Sequence, residues 1–308
     1  MVIVGAGGVG SSIAYTLMLR AVYSEIVIID INRQRAEGEA LDMMHGVSFT
    51  EYCRIYAGDY SDCKGAQAIV ITAGAAQEKG ENRRELLGRN AKIIKSVVSE
   101  ITKHITSQTF LLMVTNPVDV LSFYAYKISA LPKHRVIGSG TVLDTSRLKY
   151  ALSQHTGIDP DNIGAYILGE HGDSEMAPWS KTTIAGMEIP EFCRMFGKCS
   201  TKRLSTILED VKNSAYDVIA KKGSTHYAVA LAVCEILSAI DRNSNSILTV
   251  STLLEGQYGI RDIYLSLPVV VNAKGAGKIL QLPLSKEEEN LLCSSAKAMK
   301  KLCAELGI

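Results

Sequence analysis

The chain has 308 residues, of which 47% are hydrophobic and 21% charged, with a formal net charge of +1. That length can bury a sizeable core, and it predicts two domains or one two-lobed unit. So even a charge balance argues against a nucleic-acid phosphate track or an anionic membrane as partner. The short clusters Lys221-Lys222 and Lys300-Lys301 read as solvated helix faces.

The seven cysteines show no C-x-x-C spacing and no framework, so they read as reduced thiols of a cytoplasmic protein. Cys193 and Cys199 lack the histidine or second cysteine pair that a metal would need, and no metal is expected. Met1-Val2-Ile3-Val4 runs straight into glycines, without a basic region or cleavage site, and reads as a strand. No apolar run approaches the ~18 residues of a membrane span.

In chain order, β-rich runs alternate with helical spacing through the first half. Strands are predicted at Val2 to Val4, Glu25 to Asp30, Arg54 to Ala57, Ala68 to Thr72, Phe110 to Thr115 and Arg135 to Ile137. Helices are predicted at Ser11 to Ala21, Arg33 to His45, Arg84 to Ile105 and Val118 to Ser129. This is the pattern of a doubly wound, Rossmann-type parallel sheet. After about Gly140 the pattern becomes α+β. Leu143 to His155 looks helical, and Ala165 to Leu168 and Thr182 to Ala185 look like strands. Leu204 to Ile219 and Thr225 to Ile240 carry helical faces. Ile263, Leu265, Leu267 and Val269 alternate as one half-buried strand, with Pro268 placing its end at an edge. An amphipathic helix over Leu291 to Leu306 closes the chain. The division predicted is a dinucleotide-binding domain over 1–140 and an α+β catalytic, substrate-binding domain over 141–308.

Gly5-Ala6-Gly7-Gly8-Val9-Gly10 fits G-x-G-x-x-G between a strand and a helix. Gly5 permits the tight turn, Gly7 a close approach to pyrophosphate, and Gly10 the packing of helix on strand. Asp30 ends the second strand, where a carboxylate accepts from ribose hydroxyls and repels a 2′-phosphate. NAD is therefore the expected cofactor, although Asp30 could also simply cap the strand end.

Downstream stand Leu143-Asp144-Thr145-Ser146-Arg147 and Gly169-Glu170-His171-Gly172. A histidine moves a proton near neutral pH, and a carboxylate holds the imidazolium that results. An arginine fork grips a carboxylate through two parallel hydrogen bonds. Beside a nicotinamide, these groups suit hydride transfer between a 2-hydroxy acid and a 2-oxo acid. The glycines flanking His171 argue for an exposed, sharply turned loop. Asp144 could equally cap a helix starting at Thr145.

With Thr72-Ala73-Gly74-Ala75-Ala76-Gln77, Gly80-Glu81-Asn82-Arg83 and Thr115-Asn116-Pro117-Val118-Asp119 also in order, the chain resembles the L-lactate/malate dehydrogenase family over essentially its whole length. Within that family it looks like the bacterial-type L-lactate dehydrogenases. The resemblance implies that His171 gives and takes the substrate proton, that Asp144 orients it, and that Arg147 binds the substrate carboxylate. It implies that Arg83, on a closing loop, polarises the reacting carbonyl, while Asn116 and Thr225 shape the substrate pocket. Cofactor contacts are implied at Gly5, Gly7, Val9, Gly10, Asp30, Thr72, Gly74, Asn116 and Val229.

Gln77 stands where malate enzymes carry arginine, so the resemblance implies pyruvate and L-lactate as substrates. A neutral side chain leaves a second substrate carboxylate unpaired. A malate or broad 2-hydroxy-acid dehydrogenase is the alternative, and an NAD-dependent glycosidase would need a divalent metal. Members activated by fructose-1,6-bisphosphate carry a basic residue and a histidine where this chain has Lys149 and Gly164, so little activation is expected. By resemblance the protein forms a homotetramer or a dimer.

Overall fold

The structure, a computed structural model, describes residues 1–75, 83–197, 199–200 and 203–308; the side chains of Arg83 and Arg84 lie outside that description. Six strands come from the first half: β1 (Val2–Val4), β2 (Glu25–Ile29), β3 (Arg54–Ala57), β4 (Ala68–Ile71), β5 (Phe110–Met113) and β6 (Val136–Gly138). Most are continuous apolar runs, because a parallel sheet covered by helices is buried on both faces. They pair in parallel in the order β6-β5-β4-β1-β2-β3.

Alternate residues feed two cores. Val2, Val4, Ile69 and Ile71 pack with Leu87 and Ile94 of α3 (Arg83–Ile101) and Leu121 of α4 (Val118–Ser129). Ile3, Ile28 and Val70 pack with Ile13 and Leu17 of α1 (Gly8–Leu19) and Ala36 and Ala40 of α2 (Arg33–His45). This is the doubly wound sheet expected. Its strand order reverses between β1 and β4, and the crevice beyond the carboxyl ends of those strands is where such sheets take ligands.

The second half supplies α5 (Val142–Thr156), β7 (Ile163–Gly164), β8 (Thr183–Ile184), β9 (Met187–Glu188), α6 (Ile189–Phe196), α7 (Leu204–Lys222) and α8 (Tyr227–Asp241). Then follow β10 (Ser246–Leu248), β11 (Ser251–Glu255), β12 (Arg261–Ser266), β13 (Val269–Asn272), β14 (Gly275–Ile279) and α9 (Lys286–Glu305). β11 and β12 do not stay in their own half. They extend the first sheet antiparallel to eight strands, with Ser251 opposite Gly138.

Three expectations are corrected. The strand expected at Ala165 to Leu168 is only β7 just before it and an isolated bridge between Leu168 and Met176. The single strand expected from Ile263 to Val269 is two, and neither end is half-buried: Ile263, Leu265, Leu267 and Val269 are all fully buried. Pro268 has no N–H to continue a ladder, so the chain leaves the large sheet there and enters a three-stranded one as β13. The seven reduced thiols become five, because Gly197 at the end of α6 takes φ +66° and turns the chain back on itself. That turn brings Cys199 to a Cα separation of 5.0 Å from Cys193, and the two are disulfide-bonded. The cysteines then no longer argue for a compartment. No helix among the described residues is long and apolar enough to cross a membrane.

The glycine loop sets a testable contrast. A Cβ on Gly10 would lie 1.9 Å from the Gly5 carbonyl oxygen, whereas one on Gly7 meets nothing within 4 Å. Gly10→Ala is expected to cost about 1–3 kcal/mol through forced backbone shifts. Gly7→Ala should leave stability unchanged. Thermal unfolding of both variants checks this, and equal Tm values would contradict the packing role of Gly10.

Candidate active site

The chain leaves β1 through Gly5, whose φ of +113° only glycine adopts without strain. Thr72, just past β4, ties the turn down: its Oγ1 donates to the Gly5 oxygen at 3.0 Å and to the Val4 oxygen at 3.2 Å. Asp30 holds the loop from β2, accepting from Ala6 N at 2.6 Å and Asn32 N at 2.8 Å. The carboxylate thus ties the glycine loop to the end of β2.

α1 starts at Gly8 with no side-chain cap, so its first amide groups are free for a ligand. With open space over Gly7, the loop fits a pyrophosphate on a helix N-terminus. Gly74, just past β4, has no room for a side chain, since a Cβ there would lie 2.4 Å from Thr115 Cγ2.

A cavity of about 160 Å³ opens beyond this loop. Its walls include Val9 of α1, Arg147 of α5 and Val229 of α8, with Asn116, His171 and Thr225 from three loops. Asn116 is placed by Asn90 of α3, whose Nδ2 donates to the Asn116 oxygen at 2.9 Å. Thr225 sits in the turn between α7 and α8, and Val229 lies in the first turn of α8, which starts two residues later than expected. Gln77 lies outside the described residues, as does the side chain of Arg83.

Asp144 and Arg147 lie one turn apart on α5, as their spacing requires. The helix starts at Val142, so Asp144 is inside it and does not cap it. Both carboxylate oxygens are engaged. Arg147 Nη1 donates to Oδ1 at 2.7 Å, and His171 Nδ1 lies 2.5 Å from Oδ2. The Asp144 residue is 2% exposed, while the Arg147 and His171 side chains keep 18% and 22%.

Burial opposes charge on Asp144, but the cations of His171 and Arg147 reverse this and hold it below the ordinary carboxylate value. Burial likewise opposes the imidazolium, and Asp144 overrides it, so His171 is raised to about 9. The site therefore keeps a proton on His171 at neutral pH.

The loop carrying His171 is sharply turned, with φ of +95° at Gly169 and +151° at Gly172. It is only partly exposed, however: Gly169 and Glu170 are buried, His171, Gly172 and Ser174 are half-buried, and Asp173 reaches solvent. Gly169 exchanges backbone hydrogen bonds with Ser266 of β12 at 2.9 and 3.0 Å. Glu170 N donates to Ser295 Oγ of α9 at 2.8 Å. His171 N donates to Asp119 Oδ2 at 2.8 Å, and Ser251 Oγ of β11 donates to Asp119 Oδ1 at 2.5 Å.

Asp119 is 1% exposed, and its burial pushes the carboxyl up to about 6 against those two donors. Sequence reasoning assigned it no role, although it stands in the quoted Asn116-Pro117-Val118-Asp119 run. Glu175, four residues beyond His171, is also buried beside the pair and was missed. Nothing in its spacing or neighbours would have singled it out.

Residues 1–138 match the family model for the lactate/malate dehydrogenase NAD binding domain, and residues 141–306 match that for the alpha/beta C-terminal domain. L-lactate dehydrogenase 1 of Clostridium acetobutylicum is 53% identical over 299 residues, 97% of this chain and 95% of that protein. The L-lactate dehydrogenase of Acetivibrio thermocellus is 50% identical over 99% of this chain and 96% of its own. Among solved structures, a lactate dehydrogenase from a Medee basin deep-sea metagenome library superposes with a TM-score of 0.97 at 42% identity, covering 100% of this chain and 98% of its own. The minor L-lactate dehydrogenase of Enterococcus mundtii gives 0.95 at 36%, covering 98% and 96%. With both halves matched in order and relatives this similar along the whole length, the chain belongs to the lactate/malate dehydrogenase family.

Proposed function

We propose that the protein is an NAD-dependent L-lactate dehydrogenase that interconverts pyruvate and L-lactate. The observation that carries the proposal is one small cavity in which a proton-bearing His171 and the Arg147 cation lie beside Val9, Asn116 and Val229. The curated relatives named above as L-lactate dehydrogenases support the choice of substrate.

Each residue has a role that its chemistry allows. The Arg147 fork leaves donors beyond the one given to Asp144, and these bind the substrate carboxylate. His171 Nδ1 faces Asp144, which leaves Nε2 to deliver the proton to the substrate oxygen during reduction and to remove it during oxidation. Asp144 fixes the ring and stabilises its charged form. Asn116 and Thr225 bound the substrate, and Val9 and Val229 offer apolar contact to the nicotinamide. Gly5, Gly7, Gly10, Asp30, Thr72 and Gly74 form the cradle for the rest of the dinucleotide. When bound, NADH supplies the hydride to the carbonyl carbon. Arg83 and Gln77, by family resemblance, complete the site as it closes, and Gln77 favours pyruvate over oxaloacetate.

We place the catalytic half at 141–308 and the NAD-binding half at 1–140, with β11 and β12 of the former completing the sheet of the latter. We further propose a cytoplasmic homo-oligomer, a tetramer or a dimer. Exposed Tyr15, Leu19, Tyr227 and Leu231 around a groove of about 1070 Å³ between α1, α2 and α8 support association. A monomeric mass by light scattering would exclude it.

NADH oxidation with pyruvate, oxaloacetate and 2-oxoisocaproate presented separately tests the substrate. Pyruvate should give the highest kcat/KM, and a higher value for oxaloacetate would overturn the Gln77 argument. Fructose-1,6-bisphosphate added to the same assay should change the pyruvate KM by less than about twofold, because Lys149 stands without a partner histidine at Gly164. Arg147→Lys should raise the pyruvate KM roughly tenfold or more, since a point charge lacks the planar fork. An unchanged KM would remove Arg147 from the substrate.

A further inference from the structure

Glu175 has no part in the mechanism above, yet it is held against the proton-bearing pair. It is 4% exposed, and its Oε1 has no hydrogen-bond partner among the described residues. Its backbone cannot carry it out to water. Glu175 N donates to the Gly172 oxygen at 3.0 Å, and the next residue, Met176, bridges to Leu168. One polar atom each of Glu175, Asp144 and His171 lie within 4.8 Å of one another.

A buried carboxyl beside a buried carboxylate relieves its unfavourable charge by keeping a proton. The charged groups that face it come from three directions: Asp144 and Arg147 on α5, His171 on its own loop, and Lys212 on α7. Asp119 of α4 also acts on His171 and accepts from its backbone N. Burial and then Asp144 push Glu175 up to about 8, while His171, Arg147 and Lys212 pull it back.

We propose that Glu175 is a positioning residue that extends the protonated state of His171 into alkaline solution by adding a further carboxylate beside the imidazolium. At neutral pH it is a neutral acid, and the imidazolium is supported by Asp144 and, from α4, by Asp119. As the pH rises, Glu175 releases its proton to solvent, and the new negative charge stands within 4.8 Å of the Asp144 carboxylate that holds the ring. The substrate oxygen meets the ring at the opposite nitrogen. The charge therefore supports the imidazolium more strongly than it repels a bound anion. Substrate reduction, which consumes the His171 proton, then persists to higher pH than the Asp144 pair alone allows.

This inference rests on His171 as the proton donor, so the test has one arm that follows turnover and one that does not. In the first, kcat/KM for pyruvate is followed from about pH 6 to about pH 10 for the wild type and Glu175→Gln. The alkaline limb of the variant should move down by roughly one pH unit, as expected for losing a charge within ~4–6 Å. A limb that stays in place or moves up overturns the proposal. In the second, infrared pH-difference spectra of the wild-type protein should show a protonated-carboxyl band at about pH 7.5, above the range in which Asp119 titrates, that is lost by about pH 9.5. Absence of that band overturns it as well, whether or not the variant folds. A wild-type protein that does not reduce pyruvate at all would instead overturn the functional reading, leaving the infrared arm to judge the state of Glu175.

Discussion

Asp144 is the point on which the site turns: a carboxylate removed from water and held by two cations at 2.7 and 2.5 Å. A lone buried carboxylate would cost several kcal/mol, and the ordinary escape is protonation. Here the partners offset that cost, so the charge survives inside the protein and is transferred as a constraint to both of them. The imidazole ring is fixed in one orientation, its far nitrogen without a hydrogen-bond partner among the described residues, and the guanidinium stands one turn on from Asp144 along α5. One acid therefore sets both the proton and the anion grip. Removing it would leave two partners unsatisfied, which is the expensive way to break a buried ion pair, at about 3–5 kcal/mol.

That constraint needs a rigid mount, and the mount is assembled from distant parts of the chain. α5 presents Asp144 and Arg147 from just beyond β6. The His171 loop is fastened by Ser266 on β12, by Asp119 at the start of α4 and by Ser295 on α9. Asp119 is itself held by Ser251 on β11. The two strands that extend the first sheet are therefore part of the site, because they carry the groups that fix the catalytic loop to the dinucleotide-binding half. Short polar bonds of this kind in a buried setting define geometry more than they add stability.

The sequence made the local devices legible. Gly5, Gly7 and Gly10 announce their turn because glycine is the residue that permits it, and Asp144 and Arg147 declare a shared face through a spacing of one helical turn. The alternation of apolar runs and helical periods gave the doubly wound sheet, because each element is decided within a few residues. What stayed hidden depends on contacts between remote segments. Ser251 lies 132 residues from Asp119, and Ser295 lies 125 from Glu170, so neither partnership leaves a trace in spacing. β10 (Ser-Ile-Leu) and β14 (Gly-Ala-Gly-Lys-Ile) lack the continuous apolar run that marks β1 at similar length. The run from Ile263 to Val269 was misread because Pro268 marks a passage between sheets, where both flanking strands are buried. The Cys193–Cys199 pair was missed because the end of α6 and the left-handed Gly197 stand between the two in sequence while bringing them together in space.

The claim that an enclosed acid keeps a proton on His171 can be measured on the free protein by NMR. With histidine isotopically labelled, the His171 signal is assigned by its loss in His171→Gln and followed through a pH titration. It should titrate at about 9. A midpoint at or below the ordinary 6.5 would mean that burial prevails over Asp144, and the account of the site would be wrong.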